Sequence, residues 1–262
     1  MHTRPGAVEL DGAPAIVERV HPLAMVYGGG GVFGMVYCLG VAHGLAAAGV
    51  PVATAPALGT SAGAWAASAV ALGVDAADLM ALDFPHVPNP RRGALAAIAR
   101  MYFGDATHHL VSVSAVRVPS GRRHILDGGR YPLADLAAAS SSVPVLFPPH
   151  VIDGHSYVDG GMWSATSIDA ATAAEHVVVV APVAGPVMRP IGMGAGMLLG
   201  RELGSWRRRH PAHHITFIRP NHAIARMAGR NPLGLFDSAR ARPVYPLAFE
   251  QGTRMAAQLL TG

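Results

Sequence analysis

Five residues, Gly59-Thr60-Ser61-Ala62-Gly63, constrain the fold of this chain more than any other stretch. They have the form Gly-x-Ser-x-Gly and lie between two apolar runs of different character. Val50 to Leu58 can hold a buried strand, and Ala64 to Leu72 is an alanine-rich helix former. A strand that passes through a tight turn of small residues into a helix leaves the serine at the apex, the geometry of a nucleophile elbow. Glycine is needed at 59 and 63 because side chains there would collide with the neighbouring strand and helix. The helix N-terminus beneath Ser61 offers unpaired N–H groups and a partial positive charge, which favour negative charge developing nearby. A routine strand–helix connection gives the same pattern, so the turn alone leaves both readings open.

The surrounding order of elements narrows the choice. Residues 1 to about 22 form a polar, proline-bearing lead-in, and residues 23–262 read as a single domain. Leu23 to Tyr27 is a short strand that runs into Gly28-Gly29-Gly30-Gly31-Val32-Phe33-Gly34. An amphipathic helix is expected from about Met35 to Ala48, with Gly49 as its C-cap. A strand near Val52 to Leu58 and a helix near Ala62 to Leu72 come next. This β-loop-α-β-turn-α order indicates a parallel sheet covered by helices. Asp75 to His109 turns helical between prolines and glycines and could cap a site. Strands are expected from Leu110 to Val118, His124 to Leu126, His176 to Ala181 and Ile215 to Ile218. A short helix is expected over Leu133 to Ala139, and a closing one from about Leu247 to Leu260. Val151 to Val158 reads as a tight hairpin delivering Asp159-Gly160-Gly161.

Composition removes several chemistries. Hydrophobic residues make up 51% and charged ones 14% of 262 residues, so a large core is easily filled. All 20 Lys+Arg positions are arginine, and without lysine there is neither a Schiff-base nor a P-loop amine. Pyridoxal-phosphate enzymes and Walker-type ATPases are thereby excluded. The formal charge of +4 is small and not gathered into a nucleic-acid stripe. Its densest run, Arg207-Arg208-Arg209-His210, reads as the basic, solvated end of a helix. The single cysteine, Cys38, excludes an intramolecular disulfide and a multi-cysteine zinc site, and reads as a core residue. No cofactor or metal is expected. Met1 to Val20 lacks the apolar core of a secretory signal. No apolar window reaches spanning length; Ala181 to Gly200 comes nearest but is broken by Pro182, Pro186, Arg189 and Pro190. A soluble, cytoplasmic protein is expected, with peripheral membrane contact left open.

A serine hydroxyl needs a base to take its proton, and the tetrahedral intermediate that follows needs donors for its oxyanion. The four consecutive glycines supply donors, since backbone N–H groups free of side chains can approach a substrate oxygen closely. Gly29-x-Gly31-x-x-Gly34 also fits a dinucleotide fingerprint, but the acid required at the end of the second strand is missing. The base is harder to choose among fourteen histidines. His108-His109 and His213-His214 lie in polar stretches, and His150 and His222 follow strands without a distinctive motif. Asp159 is favoured, because a hairpin strand delivers it and two glycines let another backbone pass close. Asp127-Gly128-Gly129 repeats the tripeptide in a context that reads as a turn.

These motifs, in this order, resemble the patatin-like phospholipase family over roughly residues 23 to 182. The family's glycine-rich loop, elbow and Asp-Gly-Gly correspond to Gly29 to Gly34, Gly59 to Gly63 and Asp159-Gly160-Gly161. Ala139 to Pro149, with its Ser140-Ser141-Ser142-Val143-Pro144 core, is similar to the family's segment ahead of the aspartate. The resemblance selects Asp159 over Asp127 and implies a three-layer α/β/α fold with a central, mostly parallel sheet. It also implies a Ser61–Asp159 dyad without a catalytic histidine, an acyl-Ser61 intermediate and an oxyanion loop at Gly29, Gly30, Gly31 and Gly34. The implied substrate is a lipid or other acyl ester. Two departures stand out. Phe33 occupies a place where family members often carry Arg or Lys. The segment between Leu72 and Leu110 is short for a lid, which would favour smaller or more soluble esters. The rival readings are a non-catalytic lipid-binding protein of this fold and a Ser–His–Asp α/β-hydrolase.

Overall fold

The computed structural model describes residues 21–81, 87–184, 191–229 and 231–260. Strand β1 (His21–Tyr27) leads through Gly28 to Gly30 into helix α1 (Gly31–Ala47). Strand β2 (Ala57–Thr60) and helix α2 (Ala62–Leu72) flank Ser61, and α3 (Ala76–Met80) and α4 (Ala94–Phe103) follow. β3 (Val111–Val118) and β4 (Arg122–Asp127) form a hairpin, and α5 (Leu133–Ser141) leads to a second hairpin, β5 (His150–Ile152) and β6 (His155–Asp159). Then come β7 (Ala174–Val180), α6 (Ile191–Arg209), β8 (His214–Ile218), α7 (His222–Met227), α8 (Ser238–Ala241) and α9 (Val244–Leu260).

The strands join in one mixed sheet, β5-β6-β3-β2-β1-β7-β8, with β4 on the other edge of β3. The run β3-β2-β1-β7-β8 is parallel throughout. Strand β1 sits inside it, and its apolar side chains alternate between two cores. Leu23, Met25 and Tyr27 pack with α1, α2 and α9, whereas Ala24 and Val26 pack with Leu199 and Trp206 of α6. Burial on both faces explains why β1 and β7 read as nearly unbroken apolar runs. Helices therefore cover the sheet on both sides, the three-layer arrangement implied by the resemblance.

One detail of register positions the site. β4 pairs with β3 over Ser112 to Arg117, so β2 and β6 must share the opposite edge. β2 runs parallel to β3 and ends with Thr60 beside Ser114. β6 runs antiparallel to β3 and ends with Asp159 beside Ala115. The two strands meet head to head along one edge, which brings the residues after Thr60 against Asp159. A tight Asp153-Gly154 turn, with φ of 48° and 72°, closes the β5–β6 hairpin that makes this delivery.

Several expectations are corrected. Helix α1 starts at Gly31, four residues before Met35, and it is not amphipathic: Val32 to Ala42 are all buried between the sheet, α2 and α9. The strand expected from Val52 begins only at Ala57, after a 3-10 turn at Val52–Thr54, because Pro51 and Pro56 cannot donate to a sheet ladder. Of helix α6 only the basic end was expected, since its first half is rich in glycine. Of the expected lead-in, residues 1–20 lie outside the described residues, and His21 and Pro22 open β1. Pro85, Pro186, Arg189 and Pro190 also lie outside them. Arg207 to Arg209 form the last turn of α6, as expected, and Cys38 is fully buried. Among the described residues no helix is long and apolar enough to cross a membrane.

Candidate active site

Ser61 stands between β2 and α2 with φ 53° and ψ −122°, a conformation that L-residues rarely adopt. Close packing on both sides imposes it. A Cβ at Gly59 would press on the Cα of Ala64, and one at Gly63 would fall on the carbonyl oxygen of Tyr27. The turn is therefore as tight as the small residues suggested, and it lifts the serine to the N-terminus of α2. Serine at such a position usually caps its own helix. Here the side chain makes no cap bond.

Instead the Ser61 hydroxyl donates to Asp159 Oδ2 at 2.6 Å. The second carboxylate oxygen, Oδ1, accepts from the amide of Gly161 at 2.6 Å. Asp159 is 4% exposed and Ser61 8%, so the carboxylate lies beneath a hydroxyl that still reaches the surface. Burial pushes the Asp159 carboxyl up to about 6, against the opposing effect of the Ser61 and Gly161 hydrogen bonds. A carboxylate of ordinary strength would be a feeble proton acceptor near neutrality, whereas one near 6 is matched to that task. The glycines after Asp159 have distinct roles. Gly160 passes against the Ser114 carbonyl, where a Cβ has no room, and Gly161 provides the amide for Oδ1.

Two buried serines hold Ser61 from below. The amide of Ser61 donates to Ser140 Oγ at 2.8 Å, and Ser140 Oγ donates to the Ser114 carbonyl at 2.7 Å. The amide of Asp159 donates to the Ser142 carbonyl at 3.0 Å. The Ser140-Ser141-Ser142 segment thus touches both partners, and Ser141 Oγ also accepts from the Trp65 indole at 3.0 Å. Sequence reasoning singled out this segment only as a likeness. Its three serines in an alanine-rich helix end were the signal for buried hydrogen bonding.

The glycine loop lies against the same serine: a Cβ on Gly29 would come 3.2 Å from Ser61 Cβ. Its four expected donors are not equivalent. Gly29 N–H is committed to the Ala165 carbonyl at 2.8 Å, and Gly34 N–H to the Gly30 carbonyl at 2.8 Å. Gly30 and Gly31, with φ of 147° and 60°, keep their amides without a partner among the described residues. Available donors therefore narrow to Gly30 and Gly31, at the N-terminus of the buried helix α1.

A narrow cleft opens at Ser61, lined chiefly by Val32, Met35, Trp65, Leu95, Phe147 and Phe236. Leu95 comes from α4, so the short segment after Leu72 does border the site. Phe236 comes from a 3-10 turn, Pro232–Phe236, whose Leu235 carbonyl seats against Gly31. Nothing in the sequence signalled that contact, which spans some 200 positions. Phe33 does not face the cleft; it is buried and stacks on Tyr37 at 6.5 Å between ring centroids. Among the described residues no histidine bonds to Ser61 or Asp159. His150 pairs with Asp135 at 2.9 Å, and Asp127 accepts from the Gly129 amide in a turn. No group of three or more His, Cys, Asp or Glu side chains among the described residues is placed to hold a metal ion.

A model of the family described as patatin-like phospholipase matches residues 81–172, the stretch that carries Asp159. The chain is similar to the patatin-like phospholipases. The match begins downstream of the Gly59 to Gly63 elbow and the glycine loop. Among solved structures, that of VipD from Legionella pneumophila aligns with a TM-score of 0.51 at 14% identity. The alignment covers 92% of this chain and 66% of that one, so this chain spans just under two thirds of VipD's length. At this identity the likeness is one of fold. No curated protein matches the chain in sequence.

Proposed function

We propose that the chain is a serine acyl-ester hydrolase that uses Ser61 as nucleophile and Asp159 as its base. The observation that carries this reading is the 2.6 Å hydrogen bond from the Ser61 hydroxyl to a buried carboxylate pushed up to about 6. Ser61 Oγ attacks the ester carbonyl while its proton passes to Asp159, and the carbonyl oxygen becomes an oxyanion. The amides of Gly30 and Gly31 and the N-terminus of α1 hold that charge. The intermediate collapses to acyl-Ser61, and Asp159 returns the proton to the departing alcohol. Water, deprotonated by Asp159, then attacks the acyl group; the second collapse releases the acid and restores the Ser61 hydroxyl.

The apolar lining of the cleft suits an acyl chain. With Phe33 turned into the core, position 33 brings no cation to the oxyanion, which rests on the backbone donors of the loop. The reaction then proceeds with fewer favourable charges than a cationic loop would offer. Peripheral contact with a lipid surface is consistent with an acyl-ester substrate, as is action on small soluble esters.

Replacement of Ser61 by Ala is expected to abolish hydrolysis of a p-nitrophenyl acyl ester and labelling by a fluorophosphonate probe. Unchanged turnover in the variant would sink the assignment. A second reading, a lipid-binding protein of the same fold, draws on the missing cation. It predicts that wild-type protein resists the probe.

A further inference from the structure

We propose that Glu202 of α6 is a positioning residue for the ester hydrolysis proposed above, acting through the loop of residues 164–167. Glu202 Oε2 accepts from Ser164 Oγ at 2.7 Å and from Thr166 Oγ1 at 3.3 Å. A carboxylate can only accept, so it fixes the direction of the Ser164 proton. The Ser164 oxygen is then left to accept the amides of Thr166 at 3.2 Å and Ser167 at 2.8 Å. One side chain thus sets the shape of the whole loop.

Two lines of hydrogen bonds run from this loop to the site. Ala165, between the two hydroxyl residues, turns its carbonyl to the Gly29 amide at 2.8 Å and so anchors the glycine loop. Ser167 Oγ donates to Ser114 Oγ at 2.9 Å, and the Ser114 carbonyl takes the Ser140 hydroxyl that receives the Ser61 amide. Ser167 holds φ 52°, a conformation costly for serine that persists only where its surroundings over-determine it. The loop is clamped beyond Glu202 as well. Arg123 makes a paired contact with Asp169 at 2.6 and 2.7 Å, and Arg209 of α6 donates to the Asp169 carbonyl at 2.6 Å. An element on the opposite face of the sheet from the cleft therefore grips the backbone that places both the donors and the nucleophile.

The test compares Glu202→Leu, Glu202→Gln and Ser164→Ala in the full chain, using a soluble short-chain p-nitrophenyl ester. Glu202→Leu is expected to lower kcat roughly 10- to 100-fold with KM within about twofold, the scale of a small misplacement of reacting groups. Glu202→Gln should recover most of the loss, because its amide oxygen still accepts from Ser164. Hydrogen–deuterium exchange over residues 28–31 should speed up in Glu202→Leu and stay unchanged over α9. A folded Glu202→Leu variant with wild-type kcat and exchange would overturn the proposal, as would a loss that Gln fails to recover. Should Glu202→Leu not fold, Ser164→Ala decides: a fall in kcat supports the proposal, and wild-type kcat overturns it. Exchange needs no substrate, so failure here is separable from failure of the hydrolase reading. A chain inert towards esters but with Glu202-dependent exchange would sink the hydrolase alone.

Discussion

At the scale of single residues, Asp159 couples activity to pH and to stability in opposite directions. Its carboxyl titrates at about 6 in the folded chain against an ordinary 3.8, because burial penalises the charge. The folded state holds this proton more tightly than the unfolded state does. The stability it contributes is therefore complete below about pH 4 and is lost as pH rises through about 6, on the order of 3 kcal/mol. The proposed hydrolysis needs the charged form. The kcat/KM profile is expected to rise through about pH 6 and level off above it. Asp159→Asn should abolish hydrolysis yet melt above the wild type at pH 7.5, with the gap closing near pH 4. Thermal melts at the two pH values check this. An equal or lower melting temperature at pH 7.5 would contradict the burial argument.

At the scale of elements, the strand–elbow–helix unit was legible because small residues and apolar runs carry local information. The extent of α2, the presence of the closing helix and the two hairpins followed from the same kind of signal, although α9 begins at Val244, three residues before the expected start. What escaped depended on distant partners. Helix α1, by contrast, is apolar on every side, a mark of burial that the amphipathic expectation overlooked, and α6 is glycine-rich where propensity looks for alanine. The amides of Gly29 and Gly34 were indistinguishable from those of Gly30 and Gly31 until Ala165 and the helix ladder claimed them. Close packing at the elbow also sets a contrast between glycines of α2. Gly63→Ala should destabilise by about 3 kcal/mol or more, because a methyl group there meets the Tyr27 carbonyl. Gly73, the left-handed C-cap of the same helix, has open space around it, so Gly73→Ala should cost only about 1 kcal/mol. Urea denaturation of the two variants measures the difference.

At the scale of the molecule, the site is assembled from widely separated parts of the chain. The glycine loop, Ser61, Ser140, Asp159 and Phe236 come from five elements, and the family match over 81–172 contains Asp159 but not Ser61. Cutting the chain between Met80 and Ala81 should yield two fragments that are separately inert towards esters and fluorophosphonate; labelling of the isolated N-terminal piece would show that Ser61 needs no partner strand. The sheet topology has a kinetic side as well. Because β2 and β6 abut along one edge of β3, Ser61 meets its carboxylate only after a strand pairing that closes a loop of about a hundred residues. Such long-range closure is slow relative to helix formation. Covalent labelling of Ser61 during refolding would then act as a stopwatch, lagging behind the return of helical signal and marking the moment β6 finds its place beside β3.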